Sequence, residues 1–287
     1  MRFPIRQLDA NDFPPLLRHI PDAPTRLFIR GEMPPRDNTT LCVVGSRAST
    51  AYGKRMTHKL IAGLAQYPIT IVSGLAFGID SEAHRAALDV RLPTIAILPS
   101  SLDDKSLYPA GNINLAHTIL LKGGTLLSEN EGPFTAMIHS FPQRNRIVAG
   151  MSKATLIVEA GEKSGTLITA RLALDYNREV LAIPHELDRP TGMGVNRLIR
   201  EGATLVRNSN DILAALGFKT DDSIQQTALP MDLTDNEAAI LGMLIEPLQS
   251  DELIVACDLS AQDANIALSS LLIRGLIAER LGKIERV

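Results

Sequence analysis

The stretch LCVVGSRAST, residues 41–50, decides the fold of this chain. Its first residues are apolar on both faces of a strand, and they lead directly into a small polar loop. A helix-periodic segment, 52–66, follows that loop and precedes another apolar run, ITIVSG (69–74). Strands with two apolar faces that alternate with helices are typical of a parallel sheet covered by helices on both sides.

The same alternation continues to residue 218 and predicts a doubly wound, Rossmann-like α/β domain over 39–218. The predicted strands are 41–45, 69–74, 94–98, 125–129, 154–160, 179–183 and 203–206. The predicted helices are 52–66, 79–90, 112–122, 166–177 and 208–216. In such a fold the ligand lies beyond the carboxyl ends of the strands, so the loops that follow strands are the first candidates for function.

Composition and charge narrow the class of protein. The chain has 287 residues, 45% apolar and 21% charged, which is typical of a globular protein with a substantial core. The net charge is −3, so a polyanion would have to bind a local patch, because no overall positive field attracts it. Cys42 and Cys257 lie far apart in apolar contexts, which indicates buried thiols in a reducing compartment and no disulfide framework or zinc site.

The start of the chain is rich in proline. Residues 1–38 predict an N-terminal extension with a short helix or two leading into an extended segment. The first residues lack the apolar core of a signal peptide, and no run approaches the length of a membrane span. We therefore expect a cytoplasmic protein without a membrane partner.

A second, smaller domain is predicted after a polar linker over 219–230. Residues 231–287 predict three helices and a hairpin, a winged-helix-like arrangement, in which Thr234 and Glu237 have the spacing of a capping box. This segment contains four basic and ten acidic residues, and the helix predicted for DNA reading, 261–273, has no basic residue. Because duplex recognition requires cations, we expect this acidic domain to contact protein, or its own main domain.

The loop GSRAST, which follows the first predicted strand of the α/β domain, suits an anion but not two common nucleotide motifs. A dinucleotide fold would place glycines at Arg47 and near Thr50, and the bulky cation blocks close approach to a pyrophosphate. A P-loop requires serine or threonine after Lys54, where this chain has Arg55. Backbone N–H groups, the Ser46 hydroxyl and a guanidinium remain, which favours a phosphate or a carboxylate. The alternative is a surface arginine with local contacts only.

Two further loops after strands carry similar residues. SGLAFGID, residues 73–80, contains Gly74 and Gly78, which permit unusual backbone angles. GEKSGT, residues 161–166, opens a helix and can offer N–H groups to an anion beside a lysine. A tight turn explains any one of these loops equally well, but three at one sheet edge indicate a shared ligand.

The stretch FPQRNR, residues 141–146, is interpreted as a fourth loop that folds back over the same edge before the next strand. There Phe141 would stack on a base while Arg144 and Arg146 hold phosphates, which requires no particular base sequence. One alternative is that the two arginines belong to a solvated helix start. Another is that Phe141 belongs to the core and that the arginines pair with acids at strand ends.

Several motifs occur together in the order that marks one family. They are VVGSR, SGLAFGIDSEAH (73–84), LLSEN, FPQRNRIVAG, SGTLITA (164–170) and GVNRLIREGA (194–203). Over about 39–206 the chain resembles the DNA processing protein A family, also called DprA or Smf. The resemblance implies a homodimeric single-stranded DNA (ssDNA) binding protein of bacterial natural transformation. Such a protein protects incoming ssDNA and helps to load the RecA recombinase past single-strand-binding protein, without catalytic residues, metal or cofactor.

The resemblance also implies site residues. The arginine of the GSR motif contacts DNA in the family, and the FPxRNR segment lines the same pocket. Together with the loops above, the predicted nucleic-acid-binding residues are Gly45, Ser46, Arg47, Gly74, Phe141, Arg144, Asn145, Arg146, Lys163, Ser164, Gly165 and Thr166. Where many members carry basic residues, this chain has Ala110 and Ile138, and His185 stands where glycine is usual. We expect weaker ssDNA binding than in strongly binding relatives.

An enzyme is the main alternative, and a protein-interaction scaffold is a second. Phosphoribohydrolases that cleave nucleoside monophosphates also use a glycine loop before a helix, but their G-G-x-G-T-x-x-E signature ends in a catalytic glutamate. This chain has Thr169 at that position. Glu129 and Glu159 are acids at strand ends, where helix capping or pairing with the arginines is the competing interpretation. Without a placed carboxylate the reaction lacks an acid or base, so we expect no enzyme.

Overall fold

The computed structural model describes residues 3–219, 233–244, 248–257, 259–274, 276–280 and 282–286. These residues form two compact units, divided between residues 220 and 221. The predicted linker, 219–230, lies outside the described residues except for residue 219. None of the helices in the described ranges combines the length and the apolar character that crossing a membrane requires.

The first unit is built on one mixed, mostly parallel sheet. Its strands are β1 Ile5–Leu8, β2 Leu27–Gly31, β3 Thr39–Val44, β4 Ile69–Ser73, β5 Thr94–Ile97, β6 Thr125–Ser128, β7 Ala154–Ile157, β8 Glu179–Ala182 and β9 Thr204–Leu205. They are ordered β1-β2-β6-β5-β4-β3-β7-β8-β9. From β6 to β9 every neighbouring pair is parallel, whereas β1 and β2 pair antiparallel with each other and with β6. The predicted doubly wound α/β fold is confirmed.

Helices cover both faces of the sheet. They are α1 Pro15–Arg18, α2 Ala51–Ala62, α3 Ile79–Asp89, α4 Ile113–Leu121, α5 Ser140–Gly150, α6 Thr166–Asp175, α7 Met193–Arg200 and α8 Ser209–Ala215. Strand β3 shows the two-sided burial that its sequence predicts. Leu41 and Val43 belong to the core that includes α2 and α3, whereas Cys42 and Val44 belong to the core that includes α5 and α6.

The strand order creates a crevice beside β3. The chain runs outward from β3 through β4 and β5 to β6, and it then returns to place β7 on the other side of β3. The connections that follow β3 and β7 therefore leave the sheet in opposite directions, and such a switch point is where doubly wound sheets bind ligands. At this point the ends of β3 and β7 are still hydrogen-bonded to each other, because the Val158 N–H donates to the Val44 carbonyl at 3.0 Å.

The N-terminal segment departs from the prediction. The one or two short helices predicted for residues 1–38 are present, as a single 3-10 turn at Ala10–Asp12 and helix Pro15–Arg18, but β1 and β2 also lie in this segment and extend the sheet. Strand β2 pairs with β6, with Phe28 opposite Ser128 and Ile29 opposite Leu127. A sheet edge left bare exposes unpaired N–H and C=O groups, so this pairing covers the edge of β6. The surrounding prolines hid two short strands from the sequence pattern.

The interpretation of FPQRNR as a loop is wrong, because these residues form the start of helix α5. Pro142 lies in the first turn, where a backbone N–H has no partner within the helix, so the proline does not break it. The helix is held by its second half, in which Ile147 and Val148 are each 1% exposed. Helix α7 was also not predicted.

The second unit contains three helices and a hairpin, as the sequence predicts. They are α9 Asp235–Met243, α10 Ser250–Ala256, α11 Ala261–Ile273, β10 Ile277–Arg280 and β11 Lys283–Arg286. Thr234 and Glu237 form the predicted capping box, with each side chain accepting from the other residue's backbone N–H. Glu237 is buried and also accepts from the Ser270 hydroxyl at 2.6 Å, which ties α9 to α11.

Candidate nucleic-acid interface

The carboxyl edge of the sheet carries a pocket of about 470 Å³. It is formed by the loop after β3, the turn after β4, the first turns of α5 and the start of α6. Nine of the predicted residues line it: Gly45, Ser46, Arg47, Phe141, Arg144, Asn145, Ser164, Gly165 and Thr166. The structure therefore brings together loops that are distant in sequence, at the position that the strand order favours for a ligand.

Arg47, which is exposed, and Phe141, which is half-buried, lie against each other in the pocket. The Arg47 guanidinium carbon lies 5.1 Å from the centre of the Phe141 ring, within the range of a cation–π contact. Phe141 in turn meets the Tyr108 ring at 5.4 Å and 73°, an edge-to-face contact. Arg47 is exposed and forms no ion pair with any residue that the structure describes. Its charge is therefore available to an anionic ligand.

The loop that carries Arg47 is held in place by the next strand connection. The Ile79 N–H donates to the Ser46 carbonyl at 3.1 Å. Gly78 has a φ of +76°, and a side chain at this position would overlap the Ser46 and Arg47 carbonyl oxygens. A residue without Cβ is required there, both for the backbone angle and for the close approach. The loop is preorganised without any ligand.

Arg144 lines the pocket but holds the scaffold together. It is 7% exposed, and its Nη1 donates to the Gly74 carbonyl and, at 2.7 Å, to the Ile97 carbonyl. Its Nε donates to Asn145 Oδ1 at 3.1 Å. The prediction that Arg144 clamps phosphate is corrected to this extent: its Nη1 is used on carbonyl oxygens at the ends of β4 and β5, and its Nε is used on Asn145 within α5. Gly74 does not line the pocket, and its missing side chain leaves room for this guanidinium.

A buried carboxylate balances Arg144. Asp80 is 5% exposed and accepts from the Gly74 N–H at 3.1 Å and the Ala76 N–H at 3.3 Å. Burial raises the pKa of Asp80, and the charge of Arg144 opposes that rise. Burial likewise lowers the pKa of Arg144, and the charge of Asp80 opposes that fall. Each group is the counter-charge that makes burial of the other tolerable.

Arg146 does not face the pocket, which corrects the prediction that it holds a phosphate there. Its Nη2 donates to both carboxylate oxygens of Glu129, at 2.6 and 2.5 Å, and its Nε lies 3.7 Å from Asp22. The physical reason is the helix: residues two apart, such as Arg144 and Arg146, point to different sides of it. Pairing with Glu129 is the alternative that the sequence left open.

Most backbone N–H groups at the start of α6 are used within the protein: those of Leu167 and Ile168 donate to the Ser164 and Gly165 carbonyls at 3.0 and 3.1 Å. The Ser164 hydroxyl accepts from the Thr166 N–H at 3.2 Å and contacts the Thr166 hydroxyl at 3.0 Å. Gly165 is exposed, and a side chain there would meet nothing within 4 Å. This helix start therefore favours an anion through its dipole and not through a row of free N–H donors. Lys163 is exposed but does not line the pocket.

The acids at this edge have structural partners. Glu159 is fully buried and accepts from the Thr50 N–H at 3.0 Å and from the Thr50 hydroxyl, at the start of α2. Glu129 binds Arg146. These contacts match capping and ion pairing and do not resemble a general acid or base aimed at a substrate.

Two aromatic residues beside the pocket were not among the predicted site residues. Phe77 follows β4 and is 49% exposed, and Tyr108 follows β5 and is 37% exposed. Aromatic residues make up 4% of the chain, so an aromatic residue in a polar loop after a strand is a signal that sequence alone provides.

The fold and the pocket define a Rossmann-like protein that presents a guanidinium, an aromatic ring and a helix N-terminus at the switch point of its sheet. The chain belongs to the DNA recombination-mediator protein A family, whose model matches residues 5–217.

Individual relatives agree with this family. Protein Smf of Escherichia coli is 42% identical over 210 residues, which cover 73% of this chain and 56% of that protein. DNA processing protein DprA of Streptococcus pneumoniae is 38% identical over 217 residues, 76% of each chain.

Solved structures agree as well. The structure of the S. pneumoniae protein aligns with a TM-score of 0.68 at 36% identity, over 77% of this chain and 76% of that one. A Helicobacter pylori DNA processing protein A structure, which concerns single-stranded DNA binding, aligns with a TM-score of 0.66 at 32% identity, over 75% of this chain and 96% of that one.

Proposed function

We propose that the first unit binds ssDNA without sequence preference, and that the protein uses this binding to protect incoming strands and help load RecA during natural transformation. The observation that carries the proposal is the exposed Arg47 guanidinium stacked on Phe141, in a pocket where three strand-end loops converge. The similarity to the H. pylori protein supports the same ligand.

The chemistry of the pocket suits an unpaired strand. A guanidinium and the positive end of a helix dipole suit the sugar–phosphate chain, which is the same for every sequence. An aromatic ring stacks on any base, because every base has a π face. Duplex DNA hides those faces, so Phe141 gives a preference for single strands. Neither contact reads base edges, and the binding is therefore independent of sequence.

Titration of oligo-dT at several salt concentrations tests the proposal. Arg47→Ala should weaken binding and reduce the slope of log K against log salt by about 0.7, the value for one phosphate contact on a single strand. Phe141→Ala should weaken binding about 5- to 150-fold, from about 1–3 kcal/mol per stacked base, with the slope unchanged. Arg200→Ala is the matched control, since Arg200 is an exposed arginine at the end of α7, on the opposite sheet edge. Unchanged affinity in folded Arg47→Ala would rule out this pocket.

The partners are proposed on the family relationship: RecA, a second copy of the chain, and single-strand-binding protein as the competitor on DNA. RecA filament growth on ssDNA coated with single-strand-binding protein should accelerate when this protein is added. Arg47→Ala should remove the acceleration, because loading requires the strand to be held. If the variant accelerates RecA as well as the wild type does, loading is independent of this pocket.

A further inference from the structure

Exposed aromatic side chains concentrate at one place on the first unit. The chain has seven Phe, four Tyr and no Trp, and all eleven lie in the described ranges. Two of them are exposed, Phe77 at 49% and Tyr108 at 37%, and the others are buried or half-buried. Both exposed rings lie on connections at the carboxyl edge, next to the pocket that contains Phe141. Apolar rings left in water at such a site indicate a ligand with flat apolar faces.

The turn after β4 is built to present Phe77. Leu75 has a φ of +57°, which is unfavourable for a residue with a side chain, and Gly78 has a φ of +76°. This turn buries Leu75 completely while Phe77 remains exposed. Buried groups fix it: the Ser81 hydroxyl donates to the Ala76 carbonyl at 2.7 Å. The Phe77 ring is therefore held on a rigid support.

The connections that carry Phe77 and Tyr108 are fastened together. Asn112, four residues after Tyr108, donates through Nδ2 to the Leu75 carbonyl at 2.7 Å and to the Ser81 hydroxyl at 2.9 Å. Gly111, which lies between Tyr108 and Asn112 in the sequence, packs directly against Phe77. A Cβ atom at Gly111 would be only 3.0 Å from two atoms of the Phe77 ring. Tyr108 then meets Phe141, and Phe141 meets Arg47. Phe77 is thus joined to the connection that carries Tyr108 through Gly111, and ring contacts continue from Tyr108 through Phe141 to Arg47.

We propose that Phe77 and Tyr108 form a second base-stacking surface, which holds the base next to the one stacked on Phe141. This inference rests on the proposed function, since it assigns a second nucleotide position to the same strand. These contacts begin at a cation for the backbone and continue over rings that suit bases of any identity. Two adjoining stacking positions set a minimum length of strand that the protein grips.

The first test measures affinity for oligo-dT. Phe77→Ala and Tyr108→Ala should each bind about tenfold more weakly with an unchanged salt slope, because stacking involves no phosphate. Phe77→Leu keeps the apolar bulk without the π face and should also lose affinity, so a folded variant is available if Phe77→Ala unfolds. Leu174→Ala is the matched control: Leu174 is 58% exposed near the end of α6, on the opposite sheet edge. It should bind as the wild type does.

The second test uses an oligomer of deoxyribose phosphates without bases. The wild type should bind it much more weakly than oligo-dT, and Phe77→Ala should bind it as well as the wild type does, because the missing ring has no base to stack on. If Phe77→Ala and Phe77→Leu bind oligo-dT like the wild type while Arg47→Ala binds weakly, the proposed function stands and the second surface is refuted. An equal loss on both oligomers also refutes stacking. If Arg47→Ala binds oligo-dT normally, the pocket itself is wrong.

Discussion

Replacing Arg144 by methionine tests whether this arginine holds the sheet edge together. The substitution keeps apolar bulk but removes the donors to the Gly74 and Ile97 carbonyls. Each buried acceptor left without a partner costs about 1–3 kcal/mol. Asp80 also loses its opposing charge, which makes burial of its carboxylate more costly. Because these costs overlap, we expect Arg144→Met to lower the free energy of unfolding by about 3–5 kcal/mol in total.

Thermal and urea unfolding of the full chain measure this loss. For a unit of this size, 1 kcal/mol shifts the melting temperature by about 2–4 °C, so Arg144→Met should melt about 6–20 °C below the wild type. Arg47→Ala is the control, because surface changes usually stay within about 0.5 kcal/mol. The double variant Arg144→Met/Asp80→Asn should recover part of the lost free energy of unfolding, because the buried carboxylate without a counter-charge is replaced by a neutral amide. A loss below about 1 kcal/mol in Arg144→Met would refute a structural role.

The pH dependence of the same variant gives a second readout. Without Arg144 the pKa of the buried Asp80 should rise further above its ordinary value of 3.8. The folded state then binds a proton more tightly than the unfolded state, so stability falls as pH rises from 3.8 through the folded pKa. Arg144→Met should therefore be less destabilised, relative to the wild type, near pH 4 than at pH 7. An equal loss at both pH values would contradict this account of Asp80.

Three further predictions follow from buried contacts. Gly74→Ala places a methyl group on the Arg144 guanidinium and should cost about 1–3 kcal/mol in urea unfolding, with a smaller cost in an Arg144→Met background. Glu159→Gln weakens the acceptor for the Thr50 N–H and should cost about 1.5–3 kcal/mol, whereas a loss under 0.5 kcal/mol would show that the charge is unimportant. Hydrogen bonds, chiefly from a serine hydroxyl of α11, lower the pKa of Glu237 from 4.5 to about 2, so the second unit should lose stability as pH falls through that window. Hydrogen exchange of α9 amides should show this loss in the wild type and not in Glu237→Gln.

The sheet was predictable because β3 to β9 repeat one pattern. Most of these strands are apolar on both faces and are followed by a polar loop and a helix-periodic segment, whereas α5 after β6 and α7 after β8 lack a pattern that predicts them. Strand β1, IRQL, has no such pattern, and β2 lies between proline-rich stretches. The two strands exist because β6 offers an edge to pair with, which is information that a local window does not contain.

The site was predictable at the level of loops and less so at the level of side chains. The carboxyl edge, Arg47 and Phe141 followed from strand order and motif. The roles of Arg144 and Arg146 depend on FPQRNR being helical. The sequence does not indicate this clearly, because a proline and two arginines are also typical of a loop. Which oxygens meet each guanidinium depends on β4, β5 and Glu129, which are distant in sequence.

The different contacts of Arg47, Arg144 and Arg146 affect how a bound DNA strand would be held under the proposed function. Arg146 is paired with Glu129, and the charge of Arg144 is balanced by Asp80, so among the described lining residues Arg47 supplies the uncompensated positive charge. A single phosphate contact releases less than one counterion on average, which gives a shallow salt dependence. Stacking is insensitive to salt, so under the proposed function the aromatic rings would contribute most of the affinity at physiological ionic strength. Rigid support for Phe77, Tyr108 and Phe141 therefore matters more in this chain than additional cations.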